Sequence, residues 1–389
     1  MATTKLDFTA SEINEKLRYP IKAGKGIQTL IVSYNNESVE NVLGNYNFSH
    51  GESHTTTENT TNTYIEGSSN YASGSHIHVE GRKCKVYKNN SHSEGYMTIC
   101  RGNRAHSQNS LTEANGGGSH SEGFYTKAGS SYQHVQGKVN IEDVNQIYAH
   151  IVGNGTATIN EAGYNIVVTE YNPRNIHTVD WNGNAWYAGS VTSNGADYAE
   201  FFEWLDGNTD NEDRIGLLVT LDGEKIKLAN SGDEILGIIS GTAAVLGDNY
   251  ECEWNGKYLT DDFGRVIYDE IEEFINEEHI TYEEIENKET GEKELVEHIE
   301  YEKVSIGFFK HPRINPNYDP EQTYINRANR PEWDTVGMIG KLYLRDDGTC
   351  QVNGYATVGE NGIAVASSEK TNMRVLSRVN DNIIKVLLK

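Results

Sequence analysis

Residues 193–204 form the segment whose residue types and spacing best support covalent chemistry. The segment joins an Asn-Gly link to three carboxylates, Asp197, Glu200 and Glu203. Gly195 permits strained or positive-φ backbone, which would bring a peptide carbonyl within reach of nearby side chains. A carboxyl group whose pKa is raised by burial would act as an acid, and an ionised one would activate water. These residues could therefore form a peptide-cleavage site, but Asn-Gly followed by acidic residues is usually a hairpin turn, so the pattern by itself is a weak signal.

Two further side chains of the segment offer a route to cleavage that needs no water. Ser193 or Asn194 could attack a neighbouring carbonyl carbon as an internal nucleophile. The candidate catalytic residues are therefore Asp197, Glu200, Ser193 and Asn194, with Gly195 and Glu203 in supporting roles. Such an activity would be a single self-cleavage, and we expect no other enzymatic turnover.

A second set of residues that could do chemistry recurs every 14 positions. Stacked imidazoles beside a row of carboxylates could bind a metal ion or respond to pH near neutrality. Rows of His and Glu also satisfy one another by hydrogen bonds between repeats or across a subunit interface, and we favour this second interpretation. We therefore predict no metal site and no cofactor. The rows are His78, His92, His106, His120 and His134, followed two residues later by Glu80, Glu94, Gln108, Glu122 and Gln136.

The 14-residue period itself predicts the element that carries these rows. Each repeat divides into two halves of a short strand and a glycine turn, with weaker early copies that open at Tyr64 and His50. A coiled coil is excluded, because its core positions would be His, Thr, Ser and Gly. Stacked coils form a solenoid, whose narrow interior admits only a row of small side chains. That row is Val86, Cys100, Ala114 and Ala128.

So thin a solenoid buries too little apolar surface to be stable alone, which favours three chains around one axis. The repeats resemble the left-handed parallel β-roll head repeats of trimeric autotransporter adhesins, which also contain 14 residues per coil. They depart from that pattern by a His-x-Glu-Gly element, which resembles repeats of phage tail proteins. The resemblance implies a trimeric, left-handed β-roll.

Composition shifts divide the remainder of the chain. We predict an attachment or capping segment at 1–49, the β-roll at 50–140, a neck of strands at 141–192 and a largely antiparallel β domain with some α-helix at 193–389. The first segment has an amphipathic start, with Phe8, Ile13 and Leu17, and a strand-like run at 29–34. An acidic insertion at 268–303 is expected to be solvated, either as a hairpin or as two helical arms. The fold class is mainly β.

Composition also limits the partners. The 389 residues carry a net charge of −24, which argues against nucleic acid and anionic membrane surfaces. Without an 18-residue apolar run or an apolar N-terminal stretch, we expect neither membrane insertion nor a signal peptide. The four cysteines, Cys84, Cys100, Cys252 and Cys350, lack zinc-site and disulfide-framework spacing, so free thiols in a reducing cytosol are expected.

About half of the chain, from Thr178 onward, resembles the self-cleaving intramolecular chaperone domain at the end of phage tail spikes and neck appendages. In that family the domain assists trimer assembly and is cut off near a Ser-x-Gly-Ala-Asp element. The resemblance implies cleavage at Ser193-Asn194, or at Asn194-Gly195, with Asp197 as the first catalytic candidate. The motifs that carry it are Gly195-Ala196-Asp197-Tyr198-Ala199-Glu200, Glu203-Trp204, Asp213-Arg214-Ile215-Gly216, Leu221-Asp222-Gly223, Asn315-Pro316-Asn317-Tyr318-Asp319-Pro320, Arg330-Pro331-Glu332-Trp333 and Val336-Gly337.

These resemblances predict a trimeric phage tail fibre or spike that is assembled in the host cytoplasm and incorporated in the virion tail. Its expected partners are its own copies, other phage tail proteins and a host cell-surface glycan. Two alternatives stay open: an uncleaved adhesin that binds the host surface, and a glycan depolymerase whose carboxylates would be Glu94 and Glu122.

Overall fold

The computed structural model describes residues 21–23, 30–33, 43–44, 47–162, 165–286 and 293–389. They fall into two compact units, Met1–Val191 and Thr192–Lys389. The predicted amphipathic start at Phe8, Ile13 and Leu17 lies outside the described residues. The described part is mainly β, as predicted, and its helical content is a single 3-10 turn at Arg327–Asn329. The α-helix predicted for the second unit is therefore wrong for the described residues. No helix in these ranges is both long and apolar enough to cross a membrane.

The first unit is a parallel β-solenoid in which each repeat forms one coil. Each coil contributes a five-residue strand to one sheet and a two-residue strand to a second sheet, so the prediction of two strand-and-turn halves is confirmed. The strands are β1 (Ile21–Ala23), β2 (Leu30–Ser33), β3 (Phe48–Glu52), β4 (Thr55–Thr56), β5 (Tyr64–Ser68), β6 (Tyr71–Ala72), β7 (His78–Arg82), β8 (Lys85–Val86), β9 (His92–Tyr96), β10 (Ile99–Cys100), β11 (His106–Ser110), β12 (Glu113–Ala114), β13 (His120–Phe124), β14 (Lys127–Ala128) and β15 (His134–Lys138).

β1 pairs antiparallel with β2, and from β2 onward the strands pair in parallel, so that equivalent residues of successive coils are neighbours. His78 pairs with His92, for example, and His120 pairs with His134. The predicted register of the earliest copy was wrong, because Tyr64 pairs with Phe48 and not with His50. The coil that begins at β3 is two residues longer than the coils between β5 and β15, and the extra residues lie in the turn after β4, before a bridge from Thr61 to the next coil restores the period.

The interior of the solenoid holds the predicted row of small side chains, but the larger Ile65 and Ile77 are buried in the same core, so the expectation that only small side chains fit is wrong. Val86, Cys100, Ala114 and Ala128 are completely buried. Hydroxyl pairs cross the interior beside them and hydrogen-bond to each other, which satisfies polar groups that water cannot reach. These pairs are Ser93 with Thr98 at 2.7 Å, Ser107 with Thr112 at 2.8 Å, and Ser121 with Thr126 at 2.9 Å.

Glycines turn the chain where adjacent coils touch most closely. Gly123 has a φ of +104°, and a β-carbon there would lie 2.0 Å from the carbonyl oxygen of Gly137 in the next coil. Asn109 occupies the equivalent position one coil earlier, with a φ of +76°. Asparagine tolerates left-handed backbone better than most residues, and its side chain accepts a hydrogen bond from the Gly123 amide at 3.3 Å.

The parallel ladder ends in antiparallel strands. β15 pairs in parallel with β16, which in turn pairs antiparallel with β19, while β17 and β18 form a separate hairpin. These strands overlap the strand-like pieces predicted for the neck. Their bounds are β16 (Tyr148–Asn154), β17 (Thr156–Ala162), β18 (Asn165–Asn172), β19 (Asn175–Asp180) and β20 (Ala185–Tyr187).

The second unit is a largely antiparallel sheet centred on its longest sheet strand, β28, against which β21, β24 and β32 all pair. Pairing of β21 with β25 is the parallel exception. The core includes Leu218, Ile238, Leu342 and Ile384, all nearly or completely buried. The strands are β21 (Asp197–Glu203), β22 (Leu218–Asp222), β23 (Lys225–Leu228), β24 (Gly237–Ile239), β25 (Ala243–Gly247), β26 (Tyr268–Glu286), β27 (Lys293–Pro312), β28 (Trp333–Arg345), β29 (Tyr355–Val358), β30 (Ala364–Ser367), β31 (Met373–Asn380) and β32 (Ile383–Leu388).

The acidic segment forms a long two-stranded ribbon of β26 and β27. Both arms are strands, so the helical alternative is wrong. The predicted turn around Gly291 lies outside the described residues. Near the base of the ribbon, Arg313 pairs with Asp269 across the strands, which offsets part of the acidic charge, and the His311 ring lies 2.7 Å from the Glu273 carboxylate.

Candidate functional site

The site is organised around Asp197, the first residue of β21. The strand lies between β28, to which it is antiparallel, and β25, to which it is parallel. Side chains alternate along it, so Asp197, Ala199 and Phe201 are buried, while the residues between them face the other side. The carboxyl group of Asp197 is 3% exposed and therefore enters the protein interior where the strand begins.

The buried carboxyl of Asp197 has few polar neighbours. Neither of its oxygens has a hydrogen-bond partner of ordinary geometry within the described residues. Burial raises its pKa, and the nearby hydroxyls of Ser240 and Thr242 oppose that shift without cancelling it. Gly337 packs so closely that a β-carbon there would lie 2.9 Å from Oδ2. Asp197 is thus a carboxyl group that keeps its proton to a higher pH than an exposed aspartate and can serve as an acid.

The peptide before Asp197 passes from solvent into the sheet. Ser193 and Asn194 are exposed, and the Ser193 hydroxyl accepts a hydrogen bond from the Gly195 amide at 3.2 Å. The expectation of positive φ at Gly195 is wrong, because its φ lies outside the left-handed range. Glycine is required there for lack of space: a β-carbon would lie 2.5 Å from the carbonyl oxygen of Thr242. The exposed peptide is therefore held in place at Gly195.

The other two carboxylates of the segment do not approach Asp197 within the chain. Glu200 lies on the opposite face of β21, where its carboxylate accepts a hydrogen bond from Tyr198. Glu203 pairs with Lys225 at 2.6 Å. It follows Asp197 by six residues, which corresponds to roughly 20 Å along an extended strand. The structure thus places Ser193, Asn194 and Gly195 directly before the strand that buries Asp197, and it leaves the two glutamates away from the Asp197 carboxyl group.

Sequence reasoning missed the two hydroxyl residues beside Asp197. Ser240 and Thr242 follow the apolar run that becomes β24 and precede β25, so they lie more than 40 residues from Asp197 in the chain. The amide of Thr242 donates to the Ser240 hydroxyl oxygen at 3.1 Å, which leaves the Ser240 proton available to Asp197. Only the pairing of β21 with β25 brings them close, and nothing in the local sequence predicts that pairing.

A cation stacked on an aromatic ring anchors the far end of β21. Arg214 lies over the ring of the buried Trp204 at 4.3 Å, and its guanidinium donates to both carboxylate oxygens of Asp206, at 3.0 and 2.8 Å. Trp204 in turn donates to Asp334 on β28 at 2.9 Å. These contacts give Arg214 a structural role at this end of the strand.

We expect Arg214→Lys to lower the free energy of unfolding of the second unit by about 1–2 kcal/mol, because lysine loses both the two-pronged hydrogen bond and the ring stacking. The matched control is Arg265→Lys, which alters an exposed pair with Asp261 and should cost less than about 0.5 kcal/mol. Urea denaturation of the two variants measures the difference. Equal stability of the two would contradict a structural role for Arg214.

The histidine row forms a continuous stack on one face of the solenoid. Ring centroids of successive members from His78 to His134 are 4.4 to 4.9 Å apart, with interplanar angles of 12° or less. The expected hydrogen bond between coils occurs where His134 contacts Glu122 at 3.3 Å. Burial, with the neighbouring imidazoles, lowers the pKa of His92 to about 4. The row is therefore held mainly by ring stacking.

The chain combines a parallel β-solenoid with a largely antiparallel domain. An exposed peptide lies at the start of that domain, so the class of protein is a fibre protein with a candidate self-cleaving domain. Residues 150–382 match the family described as Peptidase_G2, IMC autoproteolytic cleavage domain, and the chain belongs to this family. The resemblance to self-cleaving intramolecular chaperone domains is thereby confirmed. The match covers the whole segment from Ser193 to Glu203.

Individual relatives come from phage and from a bacterial genome. The chain is 34% identical over 178 residues to the pre-neck appendage protein of Bacillus phage B103, which covers 44% of this chain and 17% of the relative. It is 33% identical over 230 residues to the putative phage-related protein YobO of Bacillus subtilis, which covers 57% of this chain and 24% of the relative. The chain thus matches no more than about a quarter of the length of these two relatives.

One solved structure has a similar fold. The crystal structure of the pre-mature gene product 12 of bacteriophage phi29 superposes with a TM-score of 0.50 at 19% identity, over 94% of this chain and 40% of that chain. At this identity the likeness concerns the fold alone.

Proposed function

We propose that this chain is part of a phage tail appendage whose C-terminal domain assists assembly of three chains and then releases itself by cutting the peptide bond between Ser193 and Asn194. Membership of the autoproteolytic family supports the self-cleavage. The relative from phage B103 is a pre-neck appendage protein, which supports the phage assignment and a place in the virion with other tail proteins. Residues 43–44 and 47–154 supply the shaft, for which we propose a left-handed trimeric β-roll.

One observation carries the proposal of self-cleavage: an exposed peptide at Ser193 and Asn194 is followed, after the tightly packed Gly195, by the buried and unpaired carboxyl group of Asp197. A buried carboxyl group with only two hydroxyls as polar neighbours destabilises the fold, and such groups are common at functional sites. The use that we propose for this carboxyl group is to protonate the exposed peptide bond between Ser193 and Asn194, which precedes it closely in the chain.

In the proposed reaction, water adds to the carbonyl carbon of Ser193 and the bond to the Asn194 nitrogen breaks. Asp197 gives its proton to the departing nitrogen and regains one from solvent, which leaves a carboxylate on Ser193 and a free amine on Asn194. Attack by the Ser193 or Asn194 side chain is the alternative first step, and the Asn194 route would instead cut before Gly195.

Glu200 is the candidate base that activates the water. Its side chain faces away from that of Asp197 in the same chain. We therefore infer that it acts on the Ser193-Asn194 peptide of a neighbouring chain in the trimer. Cleavage would then depend on assembly. This order suits the shaft, because thin repeated coils can pair out of register, and a domain that fixes the register first prevents this.

We expect the self-cleavage rate to fall as the pH rises through the raised pKa of Asp197. Above that pKa the protonated, active fraction decreases about tenfold for each pH unit. Ionisation of the buried group also costs folding free energy in the same direction, because its folded pKa lies above the unfolded value. Denaturing gels of time courses at a series of pH values measure the rate. A rate that rises steadily with pH would contradict the acid role, and a single uncut band at every pH would favour an uncleaved adhesin.

A further inference from the structure

The face of the solenoid that carries the histidine stack also carries a row of acidic residues. Glu80 on β7 and Glu94 on β9 are direct neighbours in the parallel register, and His92 precedes Glu94 by two residues on the same face of β9. Adjacent strands are about 4.8 Å apart, so these three side chains are brought close together by the fold itself.

The three side chains converge on one point. One ligand atom from each of Glu80, His92 and Glu94 lies within 4.8 Å of the other two. The two carboxylates line an open groove of about 420 Å³, whose floor is formed by backbone at Gly81 and Gly95. The His92 Nε2 atom is buried without a hydrogen-bond partner among the described residues. An imidazole nitrogen of His92 without a hydrogen-bond partner therefore belongs to the same cluster as the two carboxylates.

The two carboxylates are unlike the other adjacent pairs of the ladder. Ligand atoms of Glu80 and Glu94 lie within 4.8 Å of each other, and the neighbouring Glu94 carboxyl group raises the pKa of Glu80. Two coils further on, Gln108 replaces one member, and its amide donates to Glu122 at 2.6 Å. That later pair is satisfied by its own side chains. In the preceding coil Glu66 instead accepts a hydrogen bond from Tyr64 at 2.6 Å.

We propose that Glu80, His92 and Glu94 bind a divalent transition-metal ion of the zinc class, with water at the remaining coordination positions. One imidazole and two carboxylates form a donor set that such ions accept, and the distances allow all three to reach an ion after small rotamer changes. The ion places positive charge between the two carboxylates. By bridging β7 and β9 it also ties two coils of the shaft together.

Zn²⁺ titration of the chelator-treated full chain by calorimetry tests the site. We expect one ion per chain with this site intact, and about 100-fold weaker binding in Glu80→Gln, since loss of even an indirect metal contact costs 10- to 100-fold. Glu80→Gln reproduces the natural Gln108 and Glu122 pair, so it should fold, and its circular dichroism checks this. The matched control is Glu122→Gln, which should bind Zn²⁺ like the unaltered chain.

A gain of binding provides an independent check. Gln108→Glu places a second carboxylate beside Glu122 and His120 in the same register as the proposed site, so we expect a second ion to bind. The proposal is overturned if the unaltered chain binds no Zn²⁺ below about 100 µM, a limit near −5.5 kcal/mol. It is equally overturned if Glu80→Gln binds as tightly as the unaltered chain, or if Gln108→Glu gains no ion.

Discussion

The variant Asp197→Asn should remain uncut under conditions in which the unaltered chain divides into two fragments. Removal of a positioned acid lowers a rate by about 10²- to 10⁴-fold, so no product should appear during the time that the unaltered protein needs for completion. Asparagine fills the same volume and removes the cost of a buried ionisable group, so the domain should keep its fold. Denaturing gels after matched incubation measure the product.

Asp334→Asn is the matched control for this variant. Asp334 also has a pKa raised by burial and lies on β28, but its carboxylate accepts a hydrogen bond from Trp204 and it does not neighbour the exposed peptide. We expect Asp334→Asn to cleave at nearly the unaltered rate. Cleavage of Asp197→Asn at that same rate would show that Asp197 is not the acid.

The variant Gly123→Ala should destabilise the shaft severely. Alanine would be strained at a φ of +104°, and its β-carbon would lie 2.0 Å from the backbone oxygen of Gly137, which cannot move without breaking the ladder. Strain and overpacking together should cost about 4 kcal/mol or more. Guanidinium denaturation followed by circular dichroism measures the loss.

Gly183→Ala separates the two causes of that loss. Gly183 lies in the same unit with a φ of +83°, but a β-carbon there would meet no atom within 4 Å. We therefore expect only the strain, about 1–2 kcal/mol. If both variants lost the same stability, close approach of the coils would not be what requires glycine in the ladder.

The repeat is the part of the fold that the sequence predicts best. In a parallel ladder with a constant coil length, equal positions of successive repeats become neighbours, so the buried row from Val86 to Ala128 follows directly from the spacing. The copy predicted to open at His50 was misaligned, because two extra residues in the turn after β4 shift the register. His50 has the same residue type as the histidines of the later repeats, so the sequence pattern does not reveal the shift.

The cleavage segment was only partly predictable. The burial of Asp197 could be anticipated, but its separation from Glu200 could not. Both residues lie in β21, and because they are three positions apart in a strand, their side chains face opposite sides. The need for glycine at position 195 and the presence of Ser240 both arise from the pairing of β21 with β25. Contacts between segments so far apart in the chain leave no mark in local patterns.

Intact mass of the purified protein after incubation tests self-cleavage at Ser193-Asn194 most directly. We predict two species, with the masses of residues 1–193 and 194–389, and a new amino terminus at Asn194. Fragments divided between Asn194 and Gly195 would instead favour attack by the Asn194 side chain. Persistence of the single 43.4 kDa chain under every assembly condition would contradict self-cleavage.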